Sequence, residues 1–129
     1  MILSIIIPCF NEESTIEEII KRVNNVDLNI EKEIIVIDDN STDKSFQILE
    51  NLHKKKKIHF LYRNTKNFGK GYSIIKGIEK ASGDILLIQD ADLEYDPNDY
   101  AKLIDPIISD NADVVFGSRF IGGEVKRVH

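Results

Sequence analysis

Short apolar runs alternate along the chain with segments whose apolar residues recur at helical spacing. The first run, Ile2–Pro8, is apolar at nearly every position, which is typical of a strand covered on both faces. Glu33–Asp38 and Ile85–Gln89 contain runs of the same kind, and shorter runs occupy 58–62 and 114–117. Strands that alternate with helices predict an α/β fold with a mostly parallel sheet and helices on both faces.

Four segments between these runs predict amphipathic helices. Their apolar stripes are Ile16, Ile19, Ile20 and Val23; Phe46, Leu49 and Leu52; Ile74, Ile75 and Ile78; and Tyr100, Leu103, Ile104 and Ile107. The residues expected at their starts are Ser14 with Glu17 as a capping box, Ser41 or Thr42, Gly69–Gly71, and Asp96 before Pro97.

Length and composition are those of one globular domain with an ordinary core. The 129 residues are 42% hydrophobic and carry a net charge of −5, which argues against non-specific nucleic-acid binding. Cys9 is the one cysteine, so an intrachain disulfide is excluded and a reducing compartment is expected. The first apolar run has no basic region before it and soon reaches Pro8, so no signal peptide is expected. We therefore expect a cytoplasmic protein.

The triplet Asp90-Ala91-Asp92 directly follows the apolar run that ends at Gln89. In extended backbone, residues i and i+2 project to the same side about 7 Å apart, so both carboxylates can contact one divalent cation. Like charges this close repel each other unless a cation or protons intervene. The alternative is a polar turn after a strand, since Asp is common in turns.

Other predicted strands also end in polar residues, at the edge where open parallel sheets bind their ligands. Together they predict an acidic, oxygen-rich crevice with one arginine. Hard oxygen ligands favour Mg²⁺ or Mn²⁺, and a metal with an arginine suits a diphosphate. The polar strand ends are Pro8–Glu12, Asp38–Asp43, Asp90–Glu94 and Gly117–Arg119.

Five ordered motifs resemble those of glycosyltransferase family 2 enzymes with the GT-A fold, most closely the dolichyl- and polyprenyl-phosphate sugar transferases. The resemblance implies that residues 1–129 form a single Rossmann-like, nucleotide-sugar-binding domain, C-terminally truncated relative to the family. Asn40 departs from the glycine usual at its position, but Asn tolerates the left-handed turn that such a site needs. The motifs are Ser4–Glu13, Ile37–Asp43, Asn67–Gly71, Gly83–Glu94 and Gly117–Phe120.

The resemblance also implies roles for individual residues. Asp39 would accept a ring N–H of uracil or guanine, which leaves UDP and GDP both open, and Phe10 would pack on the base. The implied nucleotide-binding residues are Pro8, Phe10, Glu12, Asp39, Gly69, Lys70 and Asp90. The implied metal ligands are Asp90, Asp92 and Glu94, and the implied catalytic residues are Asp90, Asp92 and Arg119.

Several of these residues also have an ordinary structural interpretation. Asp39 could be a turn aspartate and Phe10 a core residue. Glu12 could be a first-turn acid that the helix dipole favours, and Arg119 could form a surface salt bridge. Asp38 is expected to be mainly structural, fixing its loop.

The implied reaction is metal-dependent glycosyl transfer, with inversion, from a nucleotide-diphosphate sugar to an acceptor such as a polyprenyl or dolichyl phosphate, in the biosynthesis of cell-envelope glycans. The main alternative is a catalytically incomplete module that binds the nucleotide sugar and lacks the acceptor half. A phospho-accepting receiver domain would need a lysine at the end of strand five, which is missing. A sugar nucleotidyltransferase would need a glycine-rich loop with a basic residue after strand one, whereas Pro8–Glu12 stands there.

The run Lys54–Lys57 is interpreted as a solvated helix end, with a role at an anionic membrane surface as the alternative. Together with the implied lipid acceptor, that alternative allows a location at the cytoplasmic face of a membrane. A truncated sheet can expose an apolar face, so a homo-oligomer is left open.

Overall fold

A computed structural model describes residues 1–94 and 96–104, together with the backbone of residues 115–117. Strands and helices alternate along the described chain, and residues 100–104 are helical after a short 3-10 helix, Pro97–Asp99. None of the helices in this part of the chain is long and apolar enough to cross a membrane. The strands are β1 Ile2–Cys9, β2 Glu31–Asp38, β3 Phe60–Arg63, β4 Ile85–Gln89 and β5 Val115–Gly117, and the helices are α1 Ile16–Asn25, α2 Ser45–Lys54 and α3 Lys70–Lys80.

The five strands form one parallel sheet in the order β3-β2-β1-β4-β5. The chain runs outward from β1 through β2 to β3 and then returns to place β4 on the other side of β1. The strand order therefore reverses between β1 and β4, and such a switch point is where open α/β sheets bind ligands. The predicted parallel α/β sheet is confirmed.

Apolar side chains cover both faces of the sheet. The alternation along β1 sends Ile5 and Ile7 into a core with α1 and α2, whereas Ile6 joins the opposite core, which Ile74 of α3 helps to close. Because both faces are packed, the strands are apolar at consecutive positions rather than at alternate ones. Helices therefore lie on both faces, as predicted.

Two predicted helix starts are wrong. Thr15, not Ser14, precedes α1. Helix α2 begins at Ser45, three or four residues after the predicted caps Ser41 and Thr42. In neither helix does the side chain of the cap residue form a capping hydrogen bond. Thr15 Oγ1 instead donates to the Ala91 carbonyl at 2.8 Å. Ser41 Oγ accepts from Asn11 N at 2.9 Å, so the hydroxyls of Thr15 and Ser41 join segments that are distant in sequence instead of capping these helices.

The start at Asp96 is confirmed, because Asp96 Oδ1 accepts a hydrogen bond from Asn98 N at 2.9 Å and Pro97 occupies the first helical position. The later part of this predicted helix, which includes Ile107, lies outside the described residues, as does Val114 at the start of the fifth predicted strand. Strand β3 begins two residues later than predicted, while Ile58 packs into the core beside α1 and α2.

Helix α3 starts where predicted, directly after Gly69, whose φ of +100° suits glycine. The predicted stripe is only partly right, because Ile74 is half-buried while Ile75 and Ile78 are exposed. The small residues Ser73 and Gly77 face the sheet instead. A Cβ at Gly77 would fall well inside van der Waals contact of the Ile6 side chain, so the close approach of α3 to the sheet needs glycine there.

The close packing at Gly77 gives a paired prediction. Gly77→Ala should lower the free energy of unfolding by about 1–3 kcal/mol, because the added methyl overpacks a core that contains a β-branched neighbour. Gly71→Ala, in the same helix with no atom within 4 Å of its Cβ position, should raise it by about 0.4–1 kcal/mol. Urea denaturation of both variants measures these changes, and equal effects would contradict the packing argument.

Candidate functional site

A cavity of about 330 Å³ opens at the carboxyl edge of the sheet, at the switch point between β1 and β4. Its wall combines the ends of β1, β2 and β4 with the first turn of α3. The lining residues are Pro8, Cys9, Phe10, Glu12, Asp39, Asn67, Gly69, Lys70, Ser73, Asp90, Ala91 and Asp92. This volume is in the range of small-molecule sites in proteins.

Hydrogen bonds between the loops after β1 and β2 hold one wall of the cavity in place. Asn11 N donates to Ser41 Oγ at 2.9 Å, and Asn11 Oδ1 accepts from Thr42 N at 2.8 Å. Glu12 N donates to the buried Ser45 Oγ at 2.8 Å. Asn11 has a φ of 52° and Asn40 a φ of 60°, so the left-handed turn expected at Asn40 is confirmed.

Asp38 is fully buried beneath these loops and fixes the second one. Its carboxylate accepts hydrogen bonds from Ser41 N at 3.0 Å and Ser41 Oγ at 2.6 Å. Burial raises the pKa of Asp38, and the hydrogen bonds from Ser41, with Arg63 3.6 Å away, act in the opposite direction. These contacts agree with the expectation that Asp38 is mainly structural.

Asp39 ties the loop before α3 to the end of β2. Its Oδ1 accepts from Asn64 Nδ2 at 2.9 Å and from Phe68 N at 2.8 Å, and its Oδ2 accepts from Gly69 N at 2.9 Å. A carboxylate has roughly four acceptor positions, so three of them serve the loop and about one remains for a ligand. The residue expected to read a base is thus also the anchor of the cavity wall.

Asn64 supports Asp39 from beneath, and sequence reasoning missed it. The amide nitrogen of its buried side chain donates both to Asp39 and to Ser73 Oγ, the latter at 3.0 Å. It follows directly on β3, so the rule that ligands bind beyond strand ends could have indicated it. Asn67 and Ser73 also line the cavity. Asn67 was recognised only as part of the motif Asn67–Gly71, without a site role, and Ser73, within one turn of the predicted start of α3, was missed.

Three carboxylates, those of Glu12, Asp90 and Asp92, also line the cavity. The ammonium of Lys70 forms an ion pair with Asp90. Partial burial raises the pKa of Glu12, and the charges of Asp92, Asp43 and Asp90 raise it further. The site therefore holds an excess of negative charge that a cation would relieve.

The backbone of the Asp90–Asp92 triplet is held by its neighbours. Gln89 Nε2 donates to the Asp90 carbonyl at 3.0 Å, and the buried Tyr100 hydroxyl donates to Gln89 Oε1 at 2.6 Å. Together with the bond from Thr15 to Ala91, these contacts fix the direction in which the two carboxylates leave β4.

The predicted metal ligands are only partly assembled. Within residues 1–94 and 96–104, no group of three or more His, Cys, Asp or Glu side chains is arranged to hold a metal ion. Glu94 is exposed and does not line the cavity, and its backbone N–H donates to Asp92 Oδ1 at 3.1 Å. Asp90 and Asp92 nevertheless fit Mg²⁺ or Mn²⁺, because such ions are commonly bound by one or two carboxylates plus substrate phosphates and water.

The predicted site residues therefore divide into three groups. The residues that the structure brings to one cavity are Pro8, Phe10, Glu12, Asp39, Gly69, Lys70, Asp90 and Asp92. Glu94 lies outside the cavity lining. Arg119 lies outside the described residues.

Comparison with known proteins identifies the family. Residues 4–128 match Glycosyl transferase family 2, and the chain belongs to that family. It is 36% identical over 127 residues to the dolichol-phosphate mannosyltransferase of Pyrococcus furiosus, an alignment covering 98% of this chain and 36% of that protein. It is 33% identical over 133 residues to the UDP-N-acetylglucosamine–dolichyl-phosphate N-acetylglucosaminyltransferase of Methanococcus voltae, covering 92% and 52% of the two chains.

Solved structures agree on the GT-A, Rossmann-like fold. The S. aureus TarS structure in complex with UDP-GlcNAc superimposes with a TM-score of 0.68 at 30% identity, covering 81% of this chain and 31% of that one. The mannosyltransferase PcManGT of Pyrobaculum calidifontis, in complex with GDP-Man and Mn²⁺, gives a TM-score of 0.75 at 24% identity, covering 85% and 33%. This chain thus spans between about a third and a half of the proteins it resembles.

The anchoring role of Asp39 predicts a local effect on the loop before α3. Asp39→Ala should speed amide hydrogen exchange at Phe68 and Gly69 and lower the free energy of unfolding by about 1–3 kcal/mol, since two backbone donors lose their acceptor. Exchange measured residue by residue tests this effect. Glu50→Ala, an exposed carboxylate on α2, is the control and should change neither quantity; unchanged exchange in Asp39→Ala would contradict the anchoring role.

Cys9 lines the cavity, yet its side chain is only 1% exposed. Burial, with the nearby charge of Asp38 as the next cause, raises the pKa of the thiol. Little thiolate is then present, so we expect the folded chain to react with a disulfide reagent at mildly alkaline pH at least about tenfold more slowly than the urea-unfolded chain. Equal rates in the two states would contradict this prediction.

Proposed function

We propose that this chain forms the donor-binding half of a metal-dependent, inverting glycosyltransferase that uses a nucleotide-diphosphate sugar. The observation that carries the proposal is that Asp39, Lys70, Asp90 and Asp92 line the same cavity. A nucleotide sugar has a flat base, a diphosphate and a sugar. The cavity offers the anchored Asp39 carboxylate as a hydrogen-bond acceptor for the base, and the charged side chains of Lys70, Asp90 and Asp92 for the diphosphate and its metal. Membership of the family supports the same assignment.

The base is proposed to lie between Phe10 and the loop that Asp39 anchors. Phe10 lines the cavity and is exposed, so its ring is free to pack on a base. The remaining acceptor position of Asp39 suits a ring N–H of uracil or guanine. One relative is named for UDP-N-acetylglucosamine, one solved structure is bound to UDP-GlcNAc and another to GDP-Man. The choice between uracil and guanine is therefore left to experiment.

The diphosphate is proposed to lie between the first turn of α3 and the end of β4. The N-terminus of α3 and the Lys70 ammonium favour an anion there. Asp90 and Asp92 would hold Mg²⁺ or Mn²⁺, which neutralises the charge that develops on the leaving diphosphate when it is bound. Arg119 and Glu94 are proposed as further contacts to the diphosphate and the metal.

The acceptor is proposed to be a polyprenyl phosphate, since two relatives are named for dolichol phosphate or dolichyl phosphate. We propose that it is presented at the cytoplasmic face of a membrane. A phosphate oxygen of the acceptor forms the new bond to the anomeric carbon. The bond from that carbon to the diphosphate oxygen breaks, and its electron pair leaves with the nucleoside diphosphate. Because the attacking oxygen is already anionic, little general-base help is needed, and catalysis rests on positioning and electrostatics.

The second candidate function is a donor-binding module without transfer activity. It is favoured by the cavity lining, whose proposed contacts are to the base, the diphosphate and the metal, with none assigned to an acceptor. The two functions share the nucleotide site and differ in turnover. An assay for transfer of radiolabelled sugar to a polyprenyl phosphate, run on this chain, separates them.

The nucleotide site itself is tested by calorimetric titration with UDP and GDP, each with and without Mn²⁺. We expect binding of one nucleotide to be strengthened by the metal, and Asp92→Asn to reduce the metal-dependent part at least about tenfold, since it removes a carboxylate ligand without a change of shape. Glu50→Gln, an acid on α2 that does not line the cavity, is the matched control and should bind normally.

Two results would contradict the proposed site. One is that the folded chain binds neither nucleotide at any metal concentration. The other is that Asp92→Asn and Glu50→Gln bind alike in the presence of Mn²⁺, which would remove Asp92 from the metal site.

A further inference from the structure

The outward side of α3 and the loop before it carry an unusual group of exposed apolar side chains. Phe68 is 39% exposed, Tyr72 43%, Ile75 60% and Ile78 42%. The helix turns its small residues, Ser73 and Gly77, toward the sheet, so Tyr72, Ile75 and Ile78 remain exposed on its outward side, while Ile74 packs at the edge of the core. The Phe68 and Tyr72 rings also stack on each other, with centroids 4.3 Å apart.

Lysines flank this apolar group. The Lys66 ammonium lies 5.2 Å from the ring centroid of Phe68, and those of Lys76 and Lys80 lie 4.4 and 5.5 Å from the rings of Tyr62 and Phe60 on the edge strand β3. Within residues 66–80, four lysines accompany a single acid, Glu79, although the whole chain has a net charge of −5. We call Phe68, Tyr72, Ile75 and Ile78 with Lys66, Lys76 and Lys80 the α3 ridge.

We propose that the α3 ridge is the surface by which this domain binds an anionic lipid bilayer. Exposed apolar and aromatic side chains bordered by lysines are the composition of helices that lie in the membrane interface, where the rings enter the headgroup region and the ammonium groups meet anionic lipids. Charge complementarity favours a bilayer as the partner, because Lys66, Lys76 and Lys80 border the exposed apolar side chains and Glu79 is the one acid within residues 66–80.

The ridge is continuous with the donor cavity. Phe68 lies next to Gly69 and Lys70, which line the cavity, and Ser73 lines it from the following turn. Docking along the ridge would thus bring the cavity close to the level of lipid headgroups. The inference rests on the proposed function only in explaining why the domain would dock, namely to receive a lipid phosphate. Binding to the bilayer itself requires neither sugar nor metal.

The run Lys54–Lys57 is the competing surface, and its position argues against it. Helix α2 runs antiparallel to the strands, so its C-terminal end and this run lie at the edge of the sheet opposite the cavity. Between residues 50 and 60 the structure shows no large exposed apolar side chain. Docking there would turn the cavity away from the membrane.

Co-sedimentation of the 129-residue chain with vesicles tests the inference. Vesicles of phosphatidylcholine with phosphatidylglycerol should bind the chain, and vesicles of phosphatidylcholine alone should bind it less. The apolar variant Tyr72→Ser, Ile75→Ser, Ile78→Ser and the charge variant Lys66→Gln, Lys76→Gln, Lys80→Gln should each lose at least about tenfold in partitioning. The control variant, with Lys54–Lys57 all changed to Gln, should bind like the native chain.

The outcomes separate this inference from its rivals. Absence of native binding to anionic vesicles, or loss of binding in the Lys54–Lys57 control alone, would overturn it. A concentration-dependent dimer that the apolar variant abolishes, without vesicle binding, would assign the ridge to a second copy of this chain. If the apolar variant fails to fold, the charge variant, whose changes are on lysine side chains at the surface, decides the matter. Nucleotide titration without vesicles reports on the donor site alone, so failure of the donor-site proposal is visible separately.

Discussion

The position of β1 between β2 and β4 is the constraint on which the site depends. Parallel pairing in register, with Cys9 opposite Asp38, brings the polar ends of these strands to one edge. Ile5, Ile6 and Ile7 are buried on alternating faces, so a slip of one residue would exchange the two cores and is strongly disfavoured. The hydrophobic pattern of one strand thereby fixes where the carboxylates of the cavity stand.

Above that edge, polar contacts between distant segments give the cavity its shape. Ser41, Ser45 and Asn11 join the loops after β1 and β2, while Asp39 joins β2 to the loop before α3. Breaking one of these contacts would leave a buried polar group without a partner, which is costly, so the loops hold one another in position. The consequence for function is that the carboxylates and the first turn of α3 are largely in place before a ligand binds.

Much of the fold could be predicted because its signals are local. Apolar runs indicated the strands, Asn40 indicated a left-handed turn, and Asp96 before Pro97 indicated a helix start. The start of α2 was misplaced for a long-range reason: Ser41 Oγ accepts from Asn11 N and Thr42 N donates to Asn11 Oδ1, so both residues join the loop after β1 instead of capping a helix. The exposed stripe of α3 was misread because Gly77 allows the helix to approach the sheet with its small residues inward.

The sequence alone determined the alternation of strands and helices and the acids at the strand ends, because the hydrophobic pattern of each element lies within a few consecutive residues. Tertiary structure decided how those acids are used. The Asp39 carboxylate accepts three hydrogen bonds from residues of the loop before α3. Asp90 forms an ion pair with Lys70, and Glu94 does not line the cavity. Which oxygen is engaged depends on partners at long range in sequence, and only the folded sheet brings those partners within hydrogen-bonding distance.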